Sequence, residues 1–402
     1  MDDSIPTVAP ADAPAAADGA AAYAPDADTW DHVVRAAAHC DQLEAAALLM
    51  RATREHAHDP ELLARTRGVR GEHGLTLLMR AVARGDVARA AEIVGAAPTP
   101  AARAELLAYI NTGGLTALHY AFSLPHTDED AALALVELLL GVGADPLARY
   151  RDPNGRDYQP MHYAAQWSAR IVQRLVSAGA SIDGDVVGVS TLFCAAGART
   201  ARGVRMIPAL VALGARETLG NEAMVAFAEW PVEGAPASDE EMRAALTALV
   251  SVGCSLTEPG ADGYMPMDLA ARRGNAPVVR ALLALGVDAN HRDQRGRTAL
   301  MHALLSPFAD ATDAPQMVAA LLDAGADANA RDANGNTPLH HVAVSATDKP
   351  WAVDAARLLL GSGAKRHATN DAGATPADCV PAGAGRDSEL YRLLLEAEGE
   401  GA

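Results

Sequence analysis

Large aromatic side chains are scarce in this chain: Phe, Trp and Tyr together make up 4% of its 402 residues. Alanine fills much of the apolar quota instead. That suits closely stacked helices, because alanine is small and a strong helix former. Lysine is nearly missing, with only Lys349 and Lys365, so arginine carries the positive charge. Together with the alanine excess, this points to a GC-rich bacterial genome. Four cysteines, Cys40, Cys194, Cys254 and Cys379, are scattered without a C-x-x-C pair. That spacing excludes a cysteine zinc site and a disulfide framework, and it fits a reducing cytoplasm. No apolar run reaches the 18 residues of a membrane span. The N-terminus lacks the basic and apolar regions of a secretory signal peptide, which leaves only a non-classical secretion route open.

Motifs for chemistry are also missing. There is no G-x-S-x-G elbow and no glycine-rich phosphate loop before Lys-Ser/Thr. Glu55-His56-Ala57-His58 lacks the H-E-x-x-H spacing that puts two ligands on one helical face. The Gly383–Arg386 loop has no strand before it. No stretch outside the periodic part is long enough for an enzyme domain. The reading is therefore non-catalytic, with no cofactor and no metal.

What the chain has in excess is negative charge, a net −18. Residues 1–28 contribute six Asp and no Lys or Arg. Nucleic-acid backbones and anionic membranes are poor partners for such a chain. A basic protein surface is compatible with it. The same acidity also serves solubility alone. Residues 1–28, rich in Ala, Pro and Asp, read as a disordered tail. Residues 29–72 read as a divergent N-terminal helical cap, and 73–402 as the periodic domain.

The periodicity is plainest from Asp293 to Asp332. Gly296 precedes Thr298, a helix N-cap whose hydroxyl is expected to accept a backbone N–H. A short apolar helix follows, Ala299 to Leu305. A second helix carries Met317, Val318, Leu321 and Leu322 on one side. Gly325 ends it, since a left-handed C-cap suits glycine. The scheme returns at Thr337-Pro338-Leu339-His340, followed by Leu358-Leu359-Leu360 and Gly363. Thr76, Thr116, Gln159, Ser190, Glu222, Met265, Thr298, Thr337 and Thr375 take the Thr position, 31 to 43 residues apart. Glu222 keeps only the apolar pattern.

Thr337-Pro338-Leu339-His340 and Gly325-Ala326-Asp327-Ala328-Asn329 resemble the signature of the ankyrin repeat, a unit of about 33 residues. The resemblance implies an all-α solenoid of about nine helix-turn-helix repeats with hairpin-like fingers between them and divergent end repeats. It implies that His119, His162 and His340 bridge backbone groups of adjacent turns and bind no metal. It also implies protein binding through the concave face and the fingers.

Two surfaces stand out as candidate partner sites. The joints between the two helices of a repeat are stretched at 123–130, 229–241, 306–315 and 345–351. Ser/Thr-Asp pairs there, such as Ser238-Asp239 and Thr347-Asp348, are placed to cap the second helices, and Ser238 with Glu241 has capping-box spacing. Trp230, Phe308 and Trp351 lie in these insertions, and Trp167 at the same joint of a shorter repeat. They either fold back over helix ends or anchor a partner, a use for which Trp is favoured. The second surface is the fingers, with Arg149, Arg151 and Arg156 on one and Arg292, Arg295 and Arg297 on another. The expected molecule is a monomeric cytoplasmic adaptor or inhibitor. A bacterial immunity protein that neutralises a toxin, and an effector delivered to a host cell, are the alternatives.

Overall fold

Several helices begin where a hydroxyl can close the first turn. Thr76, Ser168, Ser190 and Thr200 sit at N-caps, and their side-chain oxygens accept the backbone N–H three residues on. The computed structural model describes residues 75–395 except 98, 112, 123–127, 185–187, 230, 232–236, 261–262, 308–312, 346–348 and 382–387. These belong to the second of the chain's two units, His73–Ala402. The tail, the N-terminal cap, Trp230 and Phe308 lie outside the described residues.

Among the described residues, the helices come in pairs. They are α1 (Leu77–Ala83) with α2 (Val87–Gly95), then α4 (Ala117–Tyr120) with α5 (Glu129–Gly141), with α3 (Pro100–Ala108) between the two pairs. Next come α6 (Pro160–Ala164) with α7 (Ala169–Ser177), α8 (Thr191–Ala196) with α9 (Ala201–Ala212), and α10 (Glu222–Glu229) with α11 (Asp239–Ser251). The last pairs are α12 (Pro266–Arg273) with α13 (Ala276–Ala284), α14 (Ala299–Leu305) with α15 (Asp313–Asp323), and α16 (Pro338–Val344) with α17 (Ala352–Gly361). A 3₁₀ turn, Ala377–Cys379, and α18 (Glu389–Leu395) close the series. First helices stack on first helices and second on second, in two layers. This is the all-α repeat solenoid that the ankyrin resemblance implies.

The second helices end alike. Gly143, Gly179, Gly214, Gly253, Gly286, Gly325 and Gly363 all have positive φ, between 82° and 105°. The following N–H then folds back on the carbonyl of Leu139, Leu175, Leu210, Leu249, Leu282, Leu321 or Leu359, at 2.9 to 3.2 Å. Every one of those leucines is fully buried. A single turn thus satisfies an orphan carbonyl and presses a core leucine inward.

Fingers are closed by a side chain. Asp152, Asp293 and Asp332 each accept two backbone N–H groups, from residues two and four places on. Asn370 does the same before the last turn. Only one finger pairs as strands among the described residues: β1 (Tyr150–Arg151) is antiparallel to β2 (Asp157–Tyr158). The others are turns. Neighbouring repeats are sewn by Asn290 and Asn329. Each donates to the carbonyl of the next C-cap glycine and accepts an N–H two residues beyond it.

Two details differ from the sequence expectation. Thr298 is an N-cap in extended conformation, but its hydroxyl makes no capping bond. Glu222 begins α10 as a helical residue, so the N-cap place falls one earlier, on Asn221. α17 begins at Ala352 with Trp351 in the N-cap place, and Thr347-Asp348 lie outside the described residues. Ser238 and Glu241 do form the capping box, each accepting the other's backbone N–H.

Candidate functional site

The motif histidines come first, because they decide whether the site is chemical. His119 Nδ1 accepts the Thr116 N–H at 3.2 Å, and His162 and His340 do the same for Gln159 and Thr337, at 2.9 and 3.1 Å. The far nitrogen crosses to the next repeat: His162 Nε2 lies 3.3 Å from the Val189 carbonyl, and His340 Nε2 3.0 Å from that of Ala374. The His162 and His340 rings are buried ties between turns, whereas His119 Nε2 is buried without a hydrogen-bond partner among the described residues. Two further histidines hold the fingers, with His302 Nε2 3.1 Å from Asp293 and His341 Nε2 3.1 Å from Asp332. Among the described residues no cluster of three or more His, Cys, Asp or Glu could hold a metal ion.

His340→Ala should therefore cost about 2 kcal/mol, because it leaves the Thr337 N–H and the Ala374 carbonyl short of partners in a buried place. Urea unfolding measures this, and metal analysis of the purified protein is the companion check. Stoichiometric metal that disappears with the substitution would overturn the structural role.

The thiols are poor nucleophiles. Burial pushes Cys194 and Cys254 up to about 12, so neither is a thiolate at neutral pH.

The insertion edge serves largely to seal helix ends. Trp351 is 2% exposed and belongs to the core. Of the two readings of this residue, its burial favours the one that folds it back over a helix end rather than an exposed partner anchor. Lys349 explains the burial: its ammonium sits 5.0 Å from the indole centroid, and Nζ donates to the Leu304 carbonyl at 2.8 Å. The cation thus caps α14 while the ring fills the space beneath. Trp167 is half-buried against the core, with the Arg202 guanidinium 5.0 Å from its ring. Glu229 pairs with Arg273, and Asn275 donates to the Phe227 and Ala228 carbonyls at the same edge.

The fingers present a different surface. On the first, Arg151 pairs with Asp157 at 2.7 Å, and its guanidinium holds that carboxyl below the usual range. Arg156 lies 5.5 Å from the Phe193 ring centroid, on the first helix of the next repeat. Arg149 is exposed beside Tyr150. The ring centroids of Tyr150 and Tyr158 are 6.3 Å apart, and those of Tyr158 and Tyr163 6.2 Å. Burial raises the hydroxyls of Tyr158 and Tyr163, so both stay protonated donors. Tyr120 continues the face one helix earlier and accepts from Asn111 at 2.8 Å. All five rings are partly exposed.

This aromatic cluster escapes a reading that counts Trp and Phe alone. Its signal is that four of eight tyrosines lie between 120 and 163.

On the second finger, Arg292 and Arg295 are exposed and Arg297 half-buried. Arg292 Nε donates to the Gly296 carbonyl at 3.1 Å, and the Arg295 carbonyl accepts from Ala333 of the next finger at 2.8 Å. Behind it, Tyr264 packs edge-on to His302, with the Arg272 guanidinium 4.9 Å from its centroid. The structure thus joins Arg149, Arg151 and Arg156 with aromatic rings. Arg292, Arg295 and Arg297 gather on a finger with fewer.

No helix among the described residues is long and apolar enough to cross a membrane. A family model described as ankyrin repeats, in three copies, matches residues 237–332 and 267–371. No curated protein matches the chain.

Proposed function

The chain is an ankyrin-repeat protein, and from that premise we propose a non-catalytic module that binds a protein partner through the first finger and the adjoining first-helix face. Ankyrin repeats are in general protein–protein interaction modules. The observation that carries this reading is the cluster of Tyr150, Tyr158, Tyr163 and Phe193 with Arg149, Arg151 and Arg156. Tyr, Trp and Arg are the residues in which interface energy concentrates. The local charges are matched, Arg151 by Asp157 and Arg156 by a ring face, so contact there rests on aromatic area. Arg292, Arg295 and Arg297 extend the contact on a later finger. Trp167, Trp230 and Phe308 define the competing edge site.

The role that fits is an adaptor or inhibitor acting in the cytoplasm as a monomer. The net charge of −18 favours a basic partner by steering its approach. That charge also supports the second reading, an immunity protein that neutralises a basic toxin. A host-directed effector remains the third.

The test is an affinity comparison with a partner captured from the source organism. Tyr150→Ala and Tyr158→Ala should each weaken binding by about 2 kcal/mol, about thirtyfold. Both rings are partly exposed, so the melting temperature should move little. Unchanged affinity in both, with a loss in Trp167→Ala, would move the site to the edge.

A further inference from the structure

Three repeats carry a histidine three places after the N-cap, at His119, His162 and His340, and the repeat headed by α12 carries an acid there. In the repeats headed by α6 and α16 the imidazole reaches the carbonyl just before the next N-cap: His162 reaches Val189 before Ser190, and His340 reaches Ala374 before Thr375. The sequence Met265-Pro266-Met267-Asp268 places a carboxyl there instead. A carboxyl is shorter than an imidazole, and when ionised it can only accept. The last repeat also has an acid in this place, Asp378, but Thr375 donates to it from both its N–H and its hydroxyl, at 2.9 and 2.7 Å. Met265 has no hydroxyl to offer. Asp268 is 1% exposed, and neither of its oxygens has a hydrogen-bond partner among the described residues.

An imidazole approaches Asp268 from the other side. Seven residues before the N-cap, the two following repeats carry Ala330 and Ala368. The same register before Thr298 is His291. Its Nδ1 lies 3.5 Å from Asp268 Oδ2, an ion-pair distance without hydrogen-bond geometry.

We propose that Asp268 and His291 form a proton-sensitive joint between α12 and the finger before α14, loose when the carboxyl is ionised and tight when it is protonated. An ionised carboxylate buried without hydrogen bonds weakens the packing around it. Protonation removes the buried charge, and the cost disappears. Burial pushes the Asp268 carboxyl up, His291 pulls it down and Asp293 pushes it up again, to about 6.

The surrounding charges are accounted for. Asp293 is occupied by His302 and by the N–H groups of Arg295 and Arg297. Arg272 and Arg297 act on His302. On α10, Glu229 is bound to Arg273, and Glu222 starts the helix. The sign follows. The native carboxyl holds its proton up to about pH 6, while an unfolded one loses it near the ordinary value of 3.8. The stabilisation is complete below that ordinary value and is lost as pH rises through about 6.

Hydrogen exchange of the full chain, expressed as protection factors for peptides across 266–305, tests the joint at about pH 5 and about pH 7.5. Asp268→Asn keeps the shape and removes the charge. It should raise protection at both pH values, and about tenfold more at the higher than at the lower. The double change Asp268→His with His291→Ala returns the imidazole to the first helix and should do the same. If Asp268→Asn fails to fold, the double variant carries the test alone. Protection unchanged or lowered at the higher pH would overturn the proposal. An equal gain at both pH values would also overturn it, since better packing and not a proton would then be the cause.

Discussion

Replacing Trp351 by alanine should cost about 3 to 5 kcal/mol of stability, the range for removing a buried Trp, and should leave partner affinity where it was. The indole is 2% exposed and joins the continuous core. It stands at the N-cap of α17 and has no capping side chain of its own. Its carbonyl accepts the Ala355 N–H at 3.0 Å, which fixes the first turn. Lys349 over its face ties α14 to the same joint. Truncation therefore opens a cavity and also frees the lysine that caps the Leu304 carbonyl. Each repeat touches only its neighbours, so protection should fall first in α16 and α17. Urea unfolding and hydrogen exchange together read this. A loss under about 0.5 kcal/mol, the scale of a surface change, would restore Trp351 as an exposed anchor.

Why the sequence was ambiguous at this residue is a matter of distance along the chain. A Trp in a stretched joint has the same local signature whether it caps or binds. What separates the two is the Leu304 carbonyl, 45 residues before Lys349. Helix pairs and glycine caps were legible because their determinants sit within a few residues: Ser238 with Glu241, or Gly325 with Leu321. The hydroxyl of Thr298 was over-read for the opposite reason. Its N-cap place is local, but its hydrogen bond depends on a rotamer that the pattern does not record.

The candidate surface is assembled by stacking. Tyr120, Tyr158 and Phe193 belong to successive repeats, and only the register of α4, α6 and α8 brings them to one face. The arginines of the first finger were visible as a charged run. Their pairing with Asp157 and Phe193 was not, and that pairing shifts the weight of the site from charge to aromatic area. Asp268 was visible as a departure from the motif, whereas His291 gains meaning only once the two repeats are aligned across their joint.

Acid should unfold this protein well before its exposed carboxylates are protonated. Burial lowers His119 and His302 to about 4, the second against the pull of Asp293. Burial also lowers His162, His340 and His341. An unfolded imidazole takes its proton near 6.5. Between that value and about 4 the unfolded chain binds protons that the native chain refuses, so stability is complete above about 6.5 and drains away as pH falls. His119 and His302 each span about 2.5 pH units, which at 1.36 kcal/mol per unit is about 3 kcal/mol apiece. Together they approach the whole stability of an ordinary domain, about 5 to 15 kcal/mol. Asp268 acts in the other direction over part of the same range, as one group against five. The urea midpoint should therefore fall steadily from about pH 6.5 to about pH 4, and His119→Gln should make the fall shallower. A midpoint that stayed level to about pH 4.5 would mean that the histidines accept protons in place, and that the ties between turns do not depend on neutral imidazoles.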